Sequence, residues 1–217
     1  LGIPSSAIFL QGHLESFYAY LMNQKKELLT YHVALLEYER DCITAWHFWL
    51  ERKTKPVLAK TEKCFRLYLD NKARKGRGDE EWGILRDSLL HKNLEKMFEN
   101  TPFSAVYLVG REFEGEWMDK SFRFLCRKRR SFRGDNHYTK GACYAAKEKT
   151  EERNLKGYLY VGNDLVRENV GMEMTVFGTP AYHPLIVSGV NWYEAMGDCE
   201  IILDDTRELE FVVSDME

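Results

Sequence analysis

Apolar residues recur every three or four positions in several stretches of the chain, and this spacing predicts amphipathic helices. Helices are predicted over 13–22, over 79–100, from about 116 onward, and over 138–148. The acidic residues 79–81 suit the positive end of the second helix. Four residues are expected to form the buried face of the first helix: Leu14, Phe17, Tyr18 and Leu21.

Short apolar runs bounded by turn residues predict strands. Two of these runs, 32–38 and 42–50, are separated by a few polar residues and are predicted to pair through a tight turn. Further strands are predicted at 7–10 and at 105–109, and the second of these ends at Gly110. We expect all four strands to share one sheet, with the first and last predicted helices packed on it.

The pattern changes after the charged run "KEKTEERN", residues 147–154. Beyond it, strand-like runs recur at intervals of roughly ten residues with Gly, Asn, Asp or Pro between them, which is typical of an all-β region. The sequence therefore predicts an α/β lobe over 1–148, a charged linker over 149–156 and a β segment over 157–217. Because this β segment is short and has open strand edges, it is expected to pack its apolar face against another surface.

Composition narrows the function classes. The chain has 217 residues, of which 44% are hydrophobic and 30% charged, and its net charge of -3 implies no general attraction to nucleic acid or membrane. No apolar run approaches the roughly 18 residues of a membrane helix. Five dispersed cysteines and six dispersed histidines form no metal motif, and a reducing cytoplasm is expected. Because the sequence begins with "LGIP", we expect it to be part of a longer protein.

The order of elements resembles the second half of the actin-like ATPase domain, a ribonuclease H-like fold found in the seventy-kilodalton heat-shock chaperones. "GHLESFYAY" at 12–20 falls on the family's E-P-T-A-A-x-x-A-Y helix, and "EYERDC" at 37–42 falls on its phosphate loop D-L-G-G-G-T. "LVGREFEGE" at 108–116 falls on the adenosine loop L-V-G-G-x-x-x-x-P, and "NHYTKGACYAA" at 136–146 falls on the closing helix. The β segment resembles the first strands of the peptide-binding sandwich that follows. A family of uncharacterised bacterial proteins built in this way is similar too.

The resemblance implies an α/β, actin-like lobe with a mixed sheet and a candidate nucleotide site formed by Gly12, Glu37, Gly110 and Arg111. Its cofactor would be ATP with magnesium, in the full-length protein. However, charged residues at 39–41 replace the glycines of the phosphate loop, and two of them are acids that repel a polyphosphate. We therefore expect a non-hydrolysing lobe without catalytic residues. The alternative is an ATP-binding lobe of a working ATPase, completed by a missing N-terminal half.

The partners implied by the resemblance are that missing N-terminal lobe and a protein or extended peptide bound by the β segment. A third possibility is a nucleic-acid binder that uses the basic run 123–133, "RFLCRKRRSFR", in which two phenylalanines are interleaved with six basic residues. The simpler interpretation of this run is a solvated helix end, where cations complement the negative helix terminus. The acidic net charge favours the simpler interpretation.

Overall fold

One mixed sheet of six strands forms the centre of the first part of the chain. The structure, a computed structural model, describes residues 2, 4, 7–69, 74–151, 155–203 and 208–215. The strands are β1 (His32–Glu39), β2 (Cys42–Glu51), β3 (Val57–Tyr68), β4 (Phe103–Val109), β5 (Arg130–Arg133) and β6 (Tyr158–Val161). Their order across the sheet is β5-β4-β1-β2-β3-β6. The strands β1, β2 and β3 are antiparallel neighbours, whereas β4 runs parallel to both β1 and β5.

Helices cover both faces of this sheet. They are α1 (His13–Met22), α2 (Asp79–Phe98), α3 (Asp119–Cys126) and α4 (His137–Thr150), and single 3-10 turns cover Lys26–Leu29 and Arg111–Phe113. Successive residues of a strand point to opposite faces, so each strand contributes to two separate cores. On one face, Val33 and Leu35 pack with residues of α1, and on the other Ala34 and Leu36 pack with α2 and α3.

The two central strands are buried on both faces, which explains their continuous apolar sequences. In β1 the residues from Val33 to Leu36 are almost fully buried, and in β4 the same holds from Ala105 to Leu108. The connection between β1 and β2 is the two-residue turn Arg40–Asp41, in which Arg40 has a φ of 55°.

The start of α3 is held by a side chain of another helix. The buried carboxylate of Asp87 on α2 accepts the backbone N–H groups of Lys120 at 2.7 Å and Ser121 at 2.8 Å. The Ser121 hydroxyl donates back to the Asp87 carbonyl at 3.1 Å. The Asp87 carboxylate of α2 thus satisfies the first N–H groups of α3, and α3 begins at that point. The residues of α3 itself supply no side-chain cap.

Most of the elements predicted in the first part of the chain are confirmed. The helix at 13–22 is present, and the predicted strands 32–38, 42–50 and 105–109 share one sheet within an α/β architecture. The predicted strand at 7–10 is wrong, because those residues have no strand partner among the described residues and residues 8–10 are exposed. Helix α3 starts at Asp119 rather than near 116.

The division of the chain falls later than the sequence suggested. Two compact units separate between Tyr160 and Val161, so the first three residues of β6, which lies beside β3 in the sheet, belong to the first unit. The ring of Tyr160 stacks on Tyr18 of α1, with 5.0 Å between centroids. Helix α4 extends through Thr150, and residues 152–154 of the predicted linker lie outside the described residues.

The second unit contains a separate three-stranded antiparallel sheet in the order β8-β7-β9. Its strands are β7 (Glu168–Val176), β8 (Thr179–Ile186) and β9 (Val212–Asp215). Phe177 and Gly178 join β7 to β8 with φ values of 49° and 81°, the positive pair that a tight hairpin favours. One of the strand-like runs expected in the β segment, "CEIILDD" at 199–205, is not confirmed as a strand: 199–203 pairs with no described strand, and Ile202 is 97% exposed.

A close approach of α1 and α4 generates the first prediction. A Cβ atom at Gly141 on α4 would lie 1.7 Å from the backbone oxygen of Ser16 on α1. We expect Gly141→Ala to force the helices apart and to lower the free energy of unfolding by about 1–3 kcal/mol. Urea unfolding followed by circular dichroism measures this change.

The matched control is Gly83→Ala on α2, whose added Cβ would meet Trp117 at an ordinary 3.6 Å. Alanine is the better helix former, so this control should leave stability unchanged or raise it by up to about 1 kcal/mol. Equal effects of the two substitutions would contradict the packing of α1 on α4.

Candidate functional site

Three parallel strands end at the same edge of the six-stranded sheet. The carboxyl ends of β1, β4 and β5 bring together Glu37, Gly110 and the segment 134–135. Ligands of open α/β sheets commonly bind outside the carboxyl ends of strands. We refer to this region as the carboxyl edge.

The structure places the four predicted site residues around this edge. Glu37 is the sixth residue of β1, and Gly12 is the N-cap of α1, whose first residue His13 contacts Glu37. Gly110 follows β4 directly, and the exposed Arg111 begins the 3-10 turn after it. The Gly110 N–H donates to Asp135 at 3.4 Å, which ties the end of β4 to the segment after β5.

The carboxylate of Glu37 is the centre of a polar cluster, and its side chain is only 14% exposed. Tyr138 on α4 donates its hydroxyl to Oε1, and Trp46 on β2 donates its indole N–H to Oε2. His13 Nε2 lies 3.3 Å from Oε1. The His13 ring also meets the rings of Trp46 and Tyr138 edge-on, with centroid distances of 6.3 and 5.7 Å. We call Glu37, His13, Trp46 and Tyr138 the Glu37 cluster.

Electrostatics in the Glu37 cluster favour the ionised carboxylate. Burial raises the pKa of Glu37, but hydrogen bonds from His13 and Tyr138, the charge of His13 and the Trp46 bond together lower that pKa below its ordinary value. The pKa of Tyr138 is raised, first by burial and then by the neighbouring Glu37 charge. The proton therefore stays on the tyrosine, which remains a donor to the carboxylate.

The glycine at the end of β4 has a packing role. Gly110 has a φ of 122°, and a Cβ atom there would lie 2.2 Å from the backbone oxygen of Tyr38. The space that the missing side chain leaves is therefore filled by β1. Close approach of a nucleotide, the role that the resemblance implied for Gly110, would have to use the other side of the backbone.

Sequence reasoning missed three members of the Glu37 cluster. Trp46 is diagonal to Glu37 across the hairpin, since Leu35 faces Trp46 and Glu37 faces Thr44. The hairpin prediction alone could have placed this indole near the carboxylate. His13 and Tyr138 lie on helices whose docking is set by tertiary packing, and no local signal indicates that they reach Glu37.

A second polar cluster lies on the opposite face of the sheet. The ring nitrogens of His32 and His47 are hydrogen-bonded to each other, beside the rings of Trp49 and Phe103. Burial, followed by the neighbouring His32, lowers the pKa of His47 to about 4, and burial lowers the pKa of His32. In the part of the chain that the structure describes, no three potential metal ligands come together.

The two sheets place the chain in the α/β class: one is mixed and six-stranded, and the other is a separate three-stranded antiparallel sheet. Residues 1–163 match the C-terminal region of a family of unknown function (DUF5716), and the chain belongs to that family. Residues 165–217 match a second domain of unknown function (DUF8552). A comparison with curated proteins found no match. Of the described helices, none combines the length and apolarity needed to cross a bilayer.

Replacing the central carboxylate tests the Glu37 cluster. We expect Glu37→Gln to lower the free energy of unfolding by about 1–3 kcal/mol at pH 7, because the amide cannot accept from all the donors around it. Because the pKa of Glu37 is lowered in the folded state, its ionised carboxylate stabilises the fold at pH values above 4.5, the ordinary pKa of a glutamate. This stabilisation is lost as the pH falls below that value. The variant should therefore depend less on pH below 4.5 than the wild type does.

Urea unfolding between pH 3 and 7 measures both effects, and Glu39→Gln, an exposed change at the end of the same strand, is the matched control. A Glu37 variant that behaves as the Glu39 control does would show that the carboxylate contributes nothing to stability.

The histidine pair predicts a second pH dependence. Because the pKa of His47 is lowered from 6.5 to about 4, the folded state binds this proton less readily than the unfolded chain. The free energy of unfolding is therefore highest, as far as His47 is concerned, above pH 6.5, where the ring is neutral in both states. It decreases as the pH falls from 6.5 towards 4. His47→Gln keeps a hydrogen-bonding group that does not titrate, and it should make stability fall less steeply across this interval.

The measurement is the free energy of unfolding at half-unit pH steps, with His183→Gln on β8 as the control. An unchanged slope in the His47 variant would refute the coupling of this pair to folding.

Proposed function

We propose that the first unit is the C-terminal lobe of an actin-like, ribonuclease H-like domain that no longer hydrolyses nucleotide and serves in protein interaction. The mixed sheet with helices on both faces supports this fold, as does the gathering of all four predicted site residues at the carboxyl edge. The family match to a C-terminal region is in keeping with a further lobe upstream.

The hydrogen bonds of the Glu37 carboxylate are the main support for a lobe that does not hydrolyse nucleotide. A carboxylate that orders magnesium must direct oxygen atoms at the ion or at its water shell. Here His13 and Tyr138 occupy Oε1 and Trp46 occupies Oε2. These donors, from α1, β2 and α4, take three of the roughly four lone-pair positions of the carboxylate, so a magnesium ion or its water shell would have to compete with them. Glu37 therefore acts as a structural anion.

The loop between β1 and β2 supports the same conclusion. Glu39, Arg40 and Asp41 are all exposed, so two negative side chains would repel a polyphosphate placed where the resemblance implies one. The Asp41 carbonyl accepts the Leu69 N–H at 2.7 Å, which fixes this turn against the end of β3. Side chains at these positions keep a phosphate further from the backbone N–H groups than a glycine run would.

The second unit supplies the interaction surface in this proposal. In the order β8-β7-β9, both outer strands are edges of the described sheet, and every residue of β9 is exposed. An exposed edge can accept an extended peptide through main-chain hydrogen bonds. The pattern of exposed apolar side chains nearby, such as Phe211 and Val213, would add contact area to such a strand.

A titration with Mg-ATP tests the proposal against the alternative of a working ATPase. We expect a dissociation constant weaker than about 100 μM, which corresponds to about -5.5 kcal/mol, and no release of phosphate. Calorimetry should be performed both on this chain and on the full-length protein, since an upstream lobe could complete the site.

Arg111→Ala is the informative variant, because Gly110 substitutions would disturb the packing against Tyr38. Arg123→Ala on α3, an exposed arginine outside the carboxyl edge, is the matched control. Micromolar binding that Arg111→Ala weakens tenfold and Arg123→Ala leaves unchanged would establish the ATP-binding alternative and overturn the proposal.

A further inference from the structure

A large open cleft lies at the other end of the six-stranded sheet. It has a volume of about 850 Å³ and is formed where β4 and β5 begin and where α2 and α3 end. Its lining includes Tyr31, Phe98, Ser104 and the four consecutive cations Arg127–Arg130. We call it the basic cleft. It lies at the opposite end of the strands from the carboxyl edge, so its residues are not those used in the function proposed above.

The charge of the basic cleft is one-sided. Arg127–Arg130 contribute four positive charges, and Glu27 is the acidic residue in the lining. None of the four cations forms an ion pair with a carboxylate of the described residues. The turn that carries them is tight, since Lys128 has a φ of 62° and Arg129 donates Nε–H to the Arg127 carbonyl at 3.2 Å. These cations are therefore concentrated at one place without internal neutralisation.

One nitrogen of the Arg129 guanidinium has no hydrogen-bond acceptor among the described residues. Its guanidinium lies over Phe98 and Phe124, at 4.4 and 4.9 Å from their ring centroids. Burial lowers the pKa of this guanidinium, and its Nη1 atom is buried without a hydrogen-bond acceptor among the described residues. A buried N–H of a cation is costly unless it is paired. A bound anion in the basic cleft could supply the missing acceptor.

The cleft also presents an aromatic surface. The Tyr31 side chain, just before β1, is 58% exposed. Its backbone N–H donates to Ser104 Oγ at 2.6 Å, which fixes the start of β1 against β4. An exposed ring on a fixed backbone, in the same cleft as a row of cations, resembles sites for single-stranded nucleic acid, in which bases stack on rings while cations contact the phosphates.

We propose that the basic cleft binds single-stranded nucleic acid, with phosphates on Arg127–Arg130 and a base stacked on Tyr31. A phosphorylated peptide would use the cations but would not require the exposed ring.

Fluorescence anisotropy with a labelled twelve-nucleotide oligo-U or oligo-dT tests this proposal on the whole chain. With three or four phosphate contacts, binding should weaken as the salt concentration rises. A plot of the logarithm of the binding constant against the logarithm of the salt concentration should have a slope of about -2 to -3. Arg127→Ala combined with Arg130→Ala should weaken binding by about tenfold or more at low salt. The charge-matched control combines Lys92→Ala with Lys140→Ala, which removes two exposed cations elsewhere.

The ring is tested separately. Tyr31→Ala should weaken binding by about fivefold or more, and Tyr31→Phe should restore it, because stacking needs the ring and not the hydroxyl. Inorganic polyphosphate, which has the charge but no bases, should compete less well than unlabelled oligonucleotide.

The proposal is overturned by any of three results. The first is that the chain does not bind the oligonucleotide in 50 mM salt. The second is that both double variants weaken binding of the oligonucleotide equally. The third is that polyphosphate displaces the oligonucleotide completely and Tyr31→Ala leaves binding unchanged. The last result would identify a general anion site that also accepts a phosphopeptide or an acidic membrane.

Discussion

The parallel packing of β1 against β4 is the constraint on which the rest of the first unit depends. Their register runs from His32 opposite Phe103 to Glu37 opposite Val109, and both strands are buried on both faces. At its carboxyl end the pair comes so close that Gly110 can carry no side chain beside Tyr38. Helices must cover both faces of such a pair, so its two ends are where polar groups can collect. The carboxyl edge and the basic cleft are those two ends.

The charged groups at the two ends of this strand pair differ in whether the protein supplies their hydrogen-bond partners. Glu37 is surrounded by donors from three elements, so its charge is satisfied within the protein and contributes to the fold. Arg129 is packed on two aromatic rings that provide attraction but no hydrogen-bond acceptor. A satisfied group is in a poor position to bind a ligand, whereas an unsatisfied one gains most from it. This contrast, more than any sequence motif, separates a structural cluster from a candidate binding surface.

Sequence alone predicted the elements whose signals are local. The apolar run of β1, the polar turn at Arg40 and the following strand β2 specify a hairpin within about 20 residues of each other. Pairing between distant segments was less accessible. The segment 7–10 has strand-like residues but no partner strand in the described part of the chain, while β6 pairs beside β3 almost a hundred residues earlier. The contact between Tyr138 and Glu37 spans 101 positions, and only the packed helices reveal it.

The basic run shows how context changes the meaning of a local pattern. From sequence, 123–133 suggested cations at a solvated helix end, and α3 does end at Cys126. Beyond that end, Arg129 packs on Phe98 of α2, and the four cations share a cleft with Tyr31 and Ser104, which lie outside the run. The net charge of -3 does not oppose an anion at this place. Salt screens charges beyond about 8–10 Å, so a ligand in the cleft is governed by the cations that line it and not by the average of the chain.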